Sequence, residues 1–426
     1  MNALLRGLRW VRRLGVAVAL VTVLGASGAI VLLFMVRALV APAPGEWSVP
    51  VSLGPLRMQA GVPSLVRLGT ASWLAPVLDG RHLRTPWGRV SYHWQPHDQR
   101  VLLHCAPCTL ALPGAGAERI RVDEFSATVQ HALGQLGGAL QVVQGQHSLN
   151  ATWQGQLTQT SLALRIDVTE APIAHWYAVW GAQIPELVRA DIRGQLSGSA
   201  HIRLPALQVT LRPVVSQFSV RGLGTQALAT ARTRCGPSAR LGHDAWLARA
   251  VIAAEDQRFF QHPGYDLTEL RQAHALNQRR DSVVRGGSTL SQQVAKLLVT
   301  GDARSLSRKL RELLYATEME QTLGKARILR LYLDNAPWGA GLCGAEAAAR
   351  HYFARAARDL APAQAVWLAS MLHNPGAEAQ RWANSGQINL ARARQVAQNV
   401  RGTRRAQRSE LLAALASPPD WAAPVP

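Results

Sequence analysis

The 426-residue sequence predicts a multi-domain α+β protein with an N-terminal transmembrane helix, a β-rich region and a mostly α-helical C-terminal region. Three observations predict it. Residues 14–36 form an uncharged apolar run. Between about 46 and 222, apolar and polar residues alternate with period two, the mark of half-buried strands. From Trp246 to about residue 414 the apolar period is helical. The length allows two or three domains, and a hydrophobic content of 48% can fill a sizeable core.

Residues 1–13 read as a cytoplasmic tail, with Arg6, Arg9, Arg12 and Arg13 just before the apolar run. At about 1.5 Å per residue, Leu14–Val36 reaches roughly 34 Å, enough for a hydrocarbon core of about 30 Å. The positive-inside rule then leaves the N-terminus in the cytoplasm and exports the rest. A cleaved signal peptide competes, with Ala41-Pro42-Ala43 as a weak cleavage site. Signal h-regions run about 7–15 residues, so the longer run favours a retained anchor.

Ala41-Pro42-Ala43-Pro44-Gly45 reads as a short stiff exit from the membrane. In the β-rich region 46–222, Val90, Tyr92 and Trp94 alternate with polar residues. Leu162, Leu164, Ile166 and Val168 do the same, as do Leu207, Val209 and Leu211. Gly194-Gln195-Leu196-Ser197-Gly198 is a turn-like separator, and Pro172–Val188, rich in Trp and Ala, reads as a helix. The alternation and Gly-x-Leu-x-Gly turns resemble the β-rich repeats of AsmA-like envelope proteins. A spacer or partner-binding domain is the plainer reading. Residues 223–240 read as a linker, 241–414 as the helical domain and 415–426 as a frayed tail.

The net charge is +20, and the only lysines are Lys296, Lys309 and Lys325. Such a surplus asks for an anionic partner: nucleic acid, lipid headgroups or a pyrophosphate. No zinc-finger spacing or basic heptad region is present, and the membrane segment argues against nucleic acid. Of the four cysteines, Cys105 and Cys108 form a CxxC. In an exported chain a structural disulfide is favoured, against free thiols or redox or metal work. Cys235 and Cys343 are far apart, and their connectivity stays open.

Four segments carry the chemistry. In the first, Ala253 to Asp266, an apolar helical stretch ends in the pair Glu255-Asp256. Burial and a carboxylate neighbour raise the pKa of a Glu there toward what a general base needs. Alone, such a pair is more often a helix-end charge cluster. In the second, Arg285 to Lys296, two glycines lead into a helix start where Thr289 and Gln292 fit a capping box. N–H groups after such a Gly pair can hold an anion, although a plain capped surface helix reads the same way. The third is Ser307 to Leu314, where Arg308, Lys309 and Arg311 surround Glu312 and keep it ionised. Ordinary i,i+4 pairing of Arg308 with Glu312 is its bland reading. The fourth runs from Lys325 to Asn335 and on through Gly339, Gly341 and Gly344 to Phe353.

Together, in this order, they resemble the family 51 glycosyltransferases, the transglycosylase domains of penicillin-binding proteins and their monofunctional relatives. The resemblance covers about residues 240–378 and closes at Leu372-His373-Asn374-Pro375. It implies a mostly α-helical, lysozyme-like catalytic domain and an inverting glycosyl transfer from a lipid-linked donor. Glu255 matches the family's catalytic base and Glu312 its second essential Glu, near the donor pyrophosphate. Ser288, Thr289, Gln293, Lys296, Arg308 and Lys309 match donor- and phosphate-contacting positions. Asp256, Phe259 and His262 match positions that shape the cleft. Leu297, Asp334, Arg330 and Tyr265 depart from the usual residues without removing a catalytic group.

The resemblance implies lipid II and the growing glycan strand as substrates, the bacterial inner membrane as location, a periplasmic catalytic domain and other cell-wall synthases as partners. It also implies a divalent cation, Mg2+ or Mn2+, at the donor pyrophosphate. No Ser-x-x-Lys nucleophile motif is present, and the chain ends about 50 residues past Asn374-Pro375, so no transpeptidase activity is expected. A muramidase is the nearest enzymatic rival, but it does not need the basic phosphate residues. A non-catalytic envelope scaffold or lipid-binding protein is the rival from another class, opposed by the intact Glu255 and Glu312. Every chemical block lies after residue 250, so removing residues 46–222 with the anchor kept is expected to leave some polymerase activity.

Overall fold

The computed structural model describes residues 37–53, 56–111, 118–132, 134–280, 286–303, 305–339 and 341–417. The expected tail 1–13, the transmembrane run 14–36 and residues 418–426 lie outside the described residues. Among the described residues no helix is long and apolar enough to cross a membrane.

The alternating region forms a nine-stranded antiparallel sheet. Its strands are β1 (His82–Thr85), β2 (Gly88–Gln95), β3 (Arg100–Cys105), β4 (Glu124–Ala132), β5 (Gln135–Gln144), β6 (His147–Leu157), β7 (Leu162–Pro172), β8 (Asp191–Leu204) and β9 (Gln208–Arg221). Each pairs with the next in sequence, so the sheet is a meander with β1 and β9 at its edges. Between β3 and β4 the chain detours through a small hairpin, Cys108–Ala111 against Arg119–Val122. The Cys105–Cys108 disulfide, Cα–Cα 5.5 Å, sits at that corner. A further hairpin, Ser48–Leu53 with Leu56–Gly61, precedes the sheet.

The Leu162–Val168 alternation lies in β7, opposite β6 and β8. Leu207 does not join such a pattern. It occupies the β8–β9 turn with φ +46° and is exposed, as is Leu211, whereas Val209 is buried. Val209 is buried where the helix Leu267–Arg280 packs on edge strand β9, its carbonyl accepting from Gln278 at 2.7 Å.

Helix α1 (Ile173–Trp180) follows β7 and packs on β5 to β8. It stops short of Val188 because Gly181 caps it and Pro185 opens a separate 3-10 turn. The helical region comprises α2 (Trp246–Glu255), α3 (Leu267–Arg280), α4 (Leu290–Ala295), α5 (Leu306–Thr322), α6 (Gly324–Asn335), α7 (Ala345–Phe353), α8 (Pro362–Met371), α9 (Pro375–Ser385), α10 (Leu390–Asn399) and α11 (Arg405–Ala414). Its core holds the fully buried Phe259, Trp338, Trp367 and Trp382.

Sheet and helices share that core. Ile173, Tyr177, Ile184, Val220 and Leu223 belong to the same buried cluster as α2, α6 and α8, and β9 packs on α3 and α5. Residues 223–240 are not a slack tether. The N–H groups of Leu223 and Thr225 donate to buried Glu318 at 2.8 and 3.0 Å. Ser238 and the N–H of Ala239 donate to Asp334 at 2.6 and 3.1 Å. Cys235 is disulfide-bonded to Cys343, with Cα atoms 5.1 Å apart.

Candidate active site

Helix α2 buries Leu247, Ala248, Ala250, Val251 and Ala253, which fixes its rotation and sets Glu255 at its last, half-buried turn. Asp256 ends the helix with an extended φ of −159° and turns its carboxylate inward. There it accepts from His262 Nε2 at 2.9 Å and from the N–H of Leu290 at 2.9 Å. The N–H of Gly264 donates to His262 Nδ1 at 3.1 Å, so the proton of His262 sits on Nε2. Gly264 has φ +97°, and a Cβ there would lie 2.8 Å from the carbonyl oxygen of Ala316. A side chain is excluded by both conformation and space.

This brace joins the end of α2 to the start of α4. Thr289 is the N-cap of α4, with a complete capping box to Gln292, and its hydroxyl donates to the Gly264 carbonyl at 2.7 Å. The hydrogen-bonding capacity of Asp256, His262 and Thr289 is thus spent on the frame, and Phe259 is fully buried beneath it.

The frame leaves a cavity of about 950 Å³ between α2, α4, α5 and α10. Glu255, Ser288, Gln293, Lys296, Arg308, Lys309 and Glu312 line it together, with Asp256 and Thr289 at its wall; Phe259 and His262 are not among its lining residues. At one end, Gln293 Nε2 donates to Glu255 Oε2 at 3.1 Å and Tyr332 donates to Gln293 Oε1 at 3.2 Å. Burial pushes the Glu255 carboxyl above the ordinary carboxylate range. The Gln293 hydrogen bond and the charges of Arg392 and His373 pull it down, and Asp256 adds to the rise.

At the other end is a basic cluster. Glu312, 1% exposed, accepts from Arg308 and, at 2.7 Å, from Lys309. Lys309 also donates to Ser288 Oγ at 2.5 Å. Burial first, then the charges of Arg308 and Lys296, lower the Lys309 ammonium to a pKa of about 8. Lys296 opens a π-helical turn, Lys296–Thr300, after α4 and pairs with exposed Asp302 at 2.8 Å. Arg311, expected beside Glu312, instead pairs with Glu186, because its place on α5 faces the sheet region.

Sequence reading missed the α10 wall, where Arg392, Gln395, Val396 and Asn399 line the cavity with His373 and Asn374. Arg392 donates to the Ala254 carbonyl at 3.1 Å, one residue before Glu255. The signal was present in the helical spacing of Arg392 to Val396, but only the fold shows that this face meets α2. Among the described residues no group of three or more His, Cys, Asp or Glu side chains could hold a metal ion.

A buried-carboxylate end and a cationic end in one cleft suit proton removal beside an anionic leaving group. Residues 240–401 match the Transglycosylase family. The chain is 42% identical over 175 residues to a biosynthetic peptidoglycan transglycosylase of Nitrosomonas eutropha, covering 39% of this chain and 69% of that protein. It is 39% identical to one from Thiobacillus denitrificans, over 38% of this chain and 71% of that protein. It is 47% identical to one from Bordetella avium, over 30% of this chain and 55% of that protein.

Proposed function

Because the chain belongs to the family 51 glycosyltransferases, we propose that it is a peptidoglycan glycosyltransferase that polymerises lipid II into glycan strands. The observation that carries the reading is the joint lining of one cavity by Glu255 and by the Lys309–Glu312–Arg308 cluster.

In this reading the acceptor's 4-hydroxyl oxygen attacks the anomeric carbon of the donor sugar and gives its proton to Glu255. The new O–C bond forms as the bond from that carbon to the pyrophosphate oxygen breaks, with inversion. The leaving group is undecaprenyl pyrophosphate, whose developing charge meets Arg308, Lys309 and Lys296. Raised basicity suits Glu255 to its task, and Gln293 orients it. Glu312 holds Arg308 and Lys309 apart from each other and toward the cleft.

A divalent cation on the pyrophosphate would supply further charge neutralisation. Among the described residues no group of three or more His, Cys, Asp or Glu side chains offers a ready ligand set for it; both oxygens of Glu312 pair with cations, and Asp256 accepts from His262 and Leu290.

The reading includes retention of residues 14–36 as a single inner-membrane span, with the N-terminus cytoplasmic and the catalytic domain periplasmic. Positive charge then favours approach to anionic lipid headgroups. It also includes activity without transpeptidation, supported by the absence of Ser-x-x-Lys at Lys296, Lys309 and Lys325. Incubation of the purified chain with labelled lipid-linked disaccharide tests the function. Polymer supports it, while shortened glycan from a preformed strand indicates a muramidase and no change indicates a scaffold.

A further inference from the structure

Helix α5 carries Arg308, Lys309 and Glu312, yet much of what holds it lies outside residues 240–401, the stretch that matches the family. On a helix of 3.6 residues per turn, Arg311 sits beside Arg308, on the side away from Lys309. Its guanidinium is taken by Glu186, in the 3-10 turn after α1, with Nε 2.9 Å from each carboxylate oxygen. Glu186 is 5% exposed. Tyr315, one helical turn on, donates to the same carboxylate at 3.2 Å. Tyr177 of α1 donates to the Leu310 carbonyl at 3.1 Å. At the start of α5, Glu118 accepts the N–H of Leu306 and is itself bound by Gln183 at 3.2 Å.

We infer that Glu186 is a positioning residue for the anion-binding cluster: by capturing Arg311 and Tyr315 it sets the rotation of α5 and keeps Arg311 from competing for Glu312. Arg308 and Lys309 then share Glu312 alone and point their remaining donors into the cavity. The sheet region, in this view, is a support for the phosphate end of the site. A bidentate carboxylate–guanidinium pair is suited to this because it fixes orientation as well as distance. The inference rests on reading α5 as the pyrophosphate-holding helix.

The test measures inorganic pyrophosphate binding by calorimetry and steady-state kinetics on lipid-linked disaccharide, using the full chain in detergent. Wild type, Glu186→Gln, Arg311→Gln and the double variant are compared, with Val101→Ala, in β3 of the sheet, as a stability control. Glu186→Gln is expected to weaken pyrophosphate binding and raise KM by roughly three- to thirty-fold, with kcat changed less. The double variant is expected to lose no more than the worse single one. Val101→Ala is expected to lower the melting temperature without moving either binding quantity. Should Glu186→Gln fail to fold, Arg311→Lys serves instead, since it keeps the charge and loses the fork. Unchanged pyrophosphate affinity and KM in a folded variant would reduce Glu186 to a structural residue. Wild type that binds no pyrophosphate and makes no polymer would overturn the functional reading itself, and the inference with it.

Discussion

Gln293 donates its side-chain N–H to Glu255 at 3.1 Å, and Tyr332 fixes which way that amide points by donating to its oxygen at 3.2 Å. The proposed base is therefore held by α4 and, through Gln293, by α6. The hydrogen bond is also one of the influences that lower the Glu255 pKa against the rise caused by burial.

Removing that donor should raise the Glu255 pKa further, since burial is then opposed by fewer influences. Gln293→Ala is expected to move the acid limb of kcat/KM to higher pH. Hydrogen bonds to charged groups are worth about 1.5–3 kcal/mol, so the loss on the acid limb should be roughly ten- to a hundred-fold. Tyr332→Phe should shift the limb the same way by less. A pH–rate profile checks both, and an unmoved acid limb would detach Gln293 from the base.

The alkaline side should belong to Lys309. Its folded pKa of about 8 lies below the ordinary lysine value, so the cation is lost as pH rises through that point and anion binding weakens. kcat/KM is expected to fall above about pH 8. Lys309→Arg keeps its charge throughout and should flatten this limb, even at a lower maximum. Profiles of the two proteins on lipid-linked substrate decide it.

Lys296 and Glu312 should fail differently. Lys296 pairs with an exposed Asp302, and such pairs contribute about 0–1 kcal/mol. Lys296→Ala is expected to leave melting almost unchanged while lowering kcat/KM roughly ten- to several-hundred-fold. Glu312 does form the i,i+4 pair with Arg308, but it is buried between two cations and not a surface partner. Glu312→Gln should lower both turnover and melting temperature, because it leaves Arg308 and Lys309 uncompensated. Thermal melts beside steady-state kinetics separate the two patterns; normal turnover in Glu312→Gln would return it to a structural role.

The Cys235–Cys343 bridge encloses a sequence separation of 108 residues. By loop-closure entropy a loop near 100 residues is worth about 4.7 kcal/mol. Replacing both cysteines with serine should lower the melting temperature by roughly 10 °C. Calorimetry on the oxidised wild type and the double variant measures it, and an unchanged transition would show that the hydrogen bonds of residues 223–240 suffice alone.

Local chemistry was readable in advance where one element decides it. The alternation at Leu162–Val168 is a strand, Thr289 with Gln292 is a capping box, and Trp246–Ala254 is a helix that ends at Glu255. Residues that depend on tertiary partners were not readable. Arg311 looked like a neighbour of Glu312 because sequence shows only the helix, not Glu186 across from it. Arg392 lies 137 positions from Glu255 in the chain and meets its helix only in the fold. The expectation that residues 46–222 can be removed ignored Ile173, Tyr177, Ile184 and Val220, which are buried in the helical core. Their apolar periodicity looks the same whether they cover their own sheet or another region.

Glu255→Gln, assayed for glycan polymer from labelled lipid-linked disaccharide, tests the central claim most directly. General-base catalysis contributes about 10²–10⁴-fold, and the amide cannot accept the acceptor's proton. The account predicts a loss of that size with the melting temperature and membrane insertion of the wild type retained. Polymer yield within a few-fold of wild type, from an equally folded protein, would contradict it.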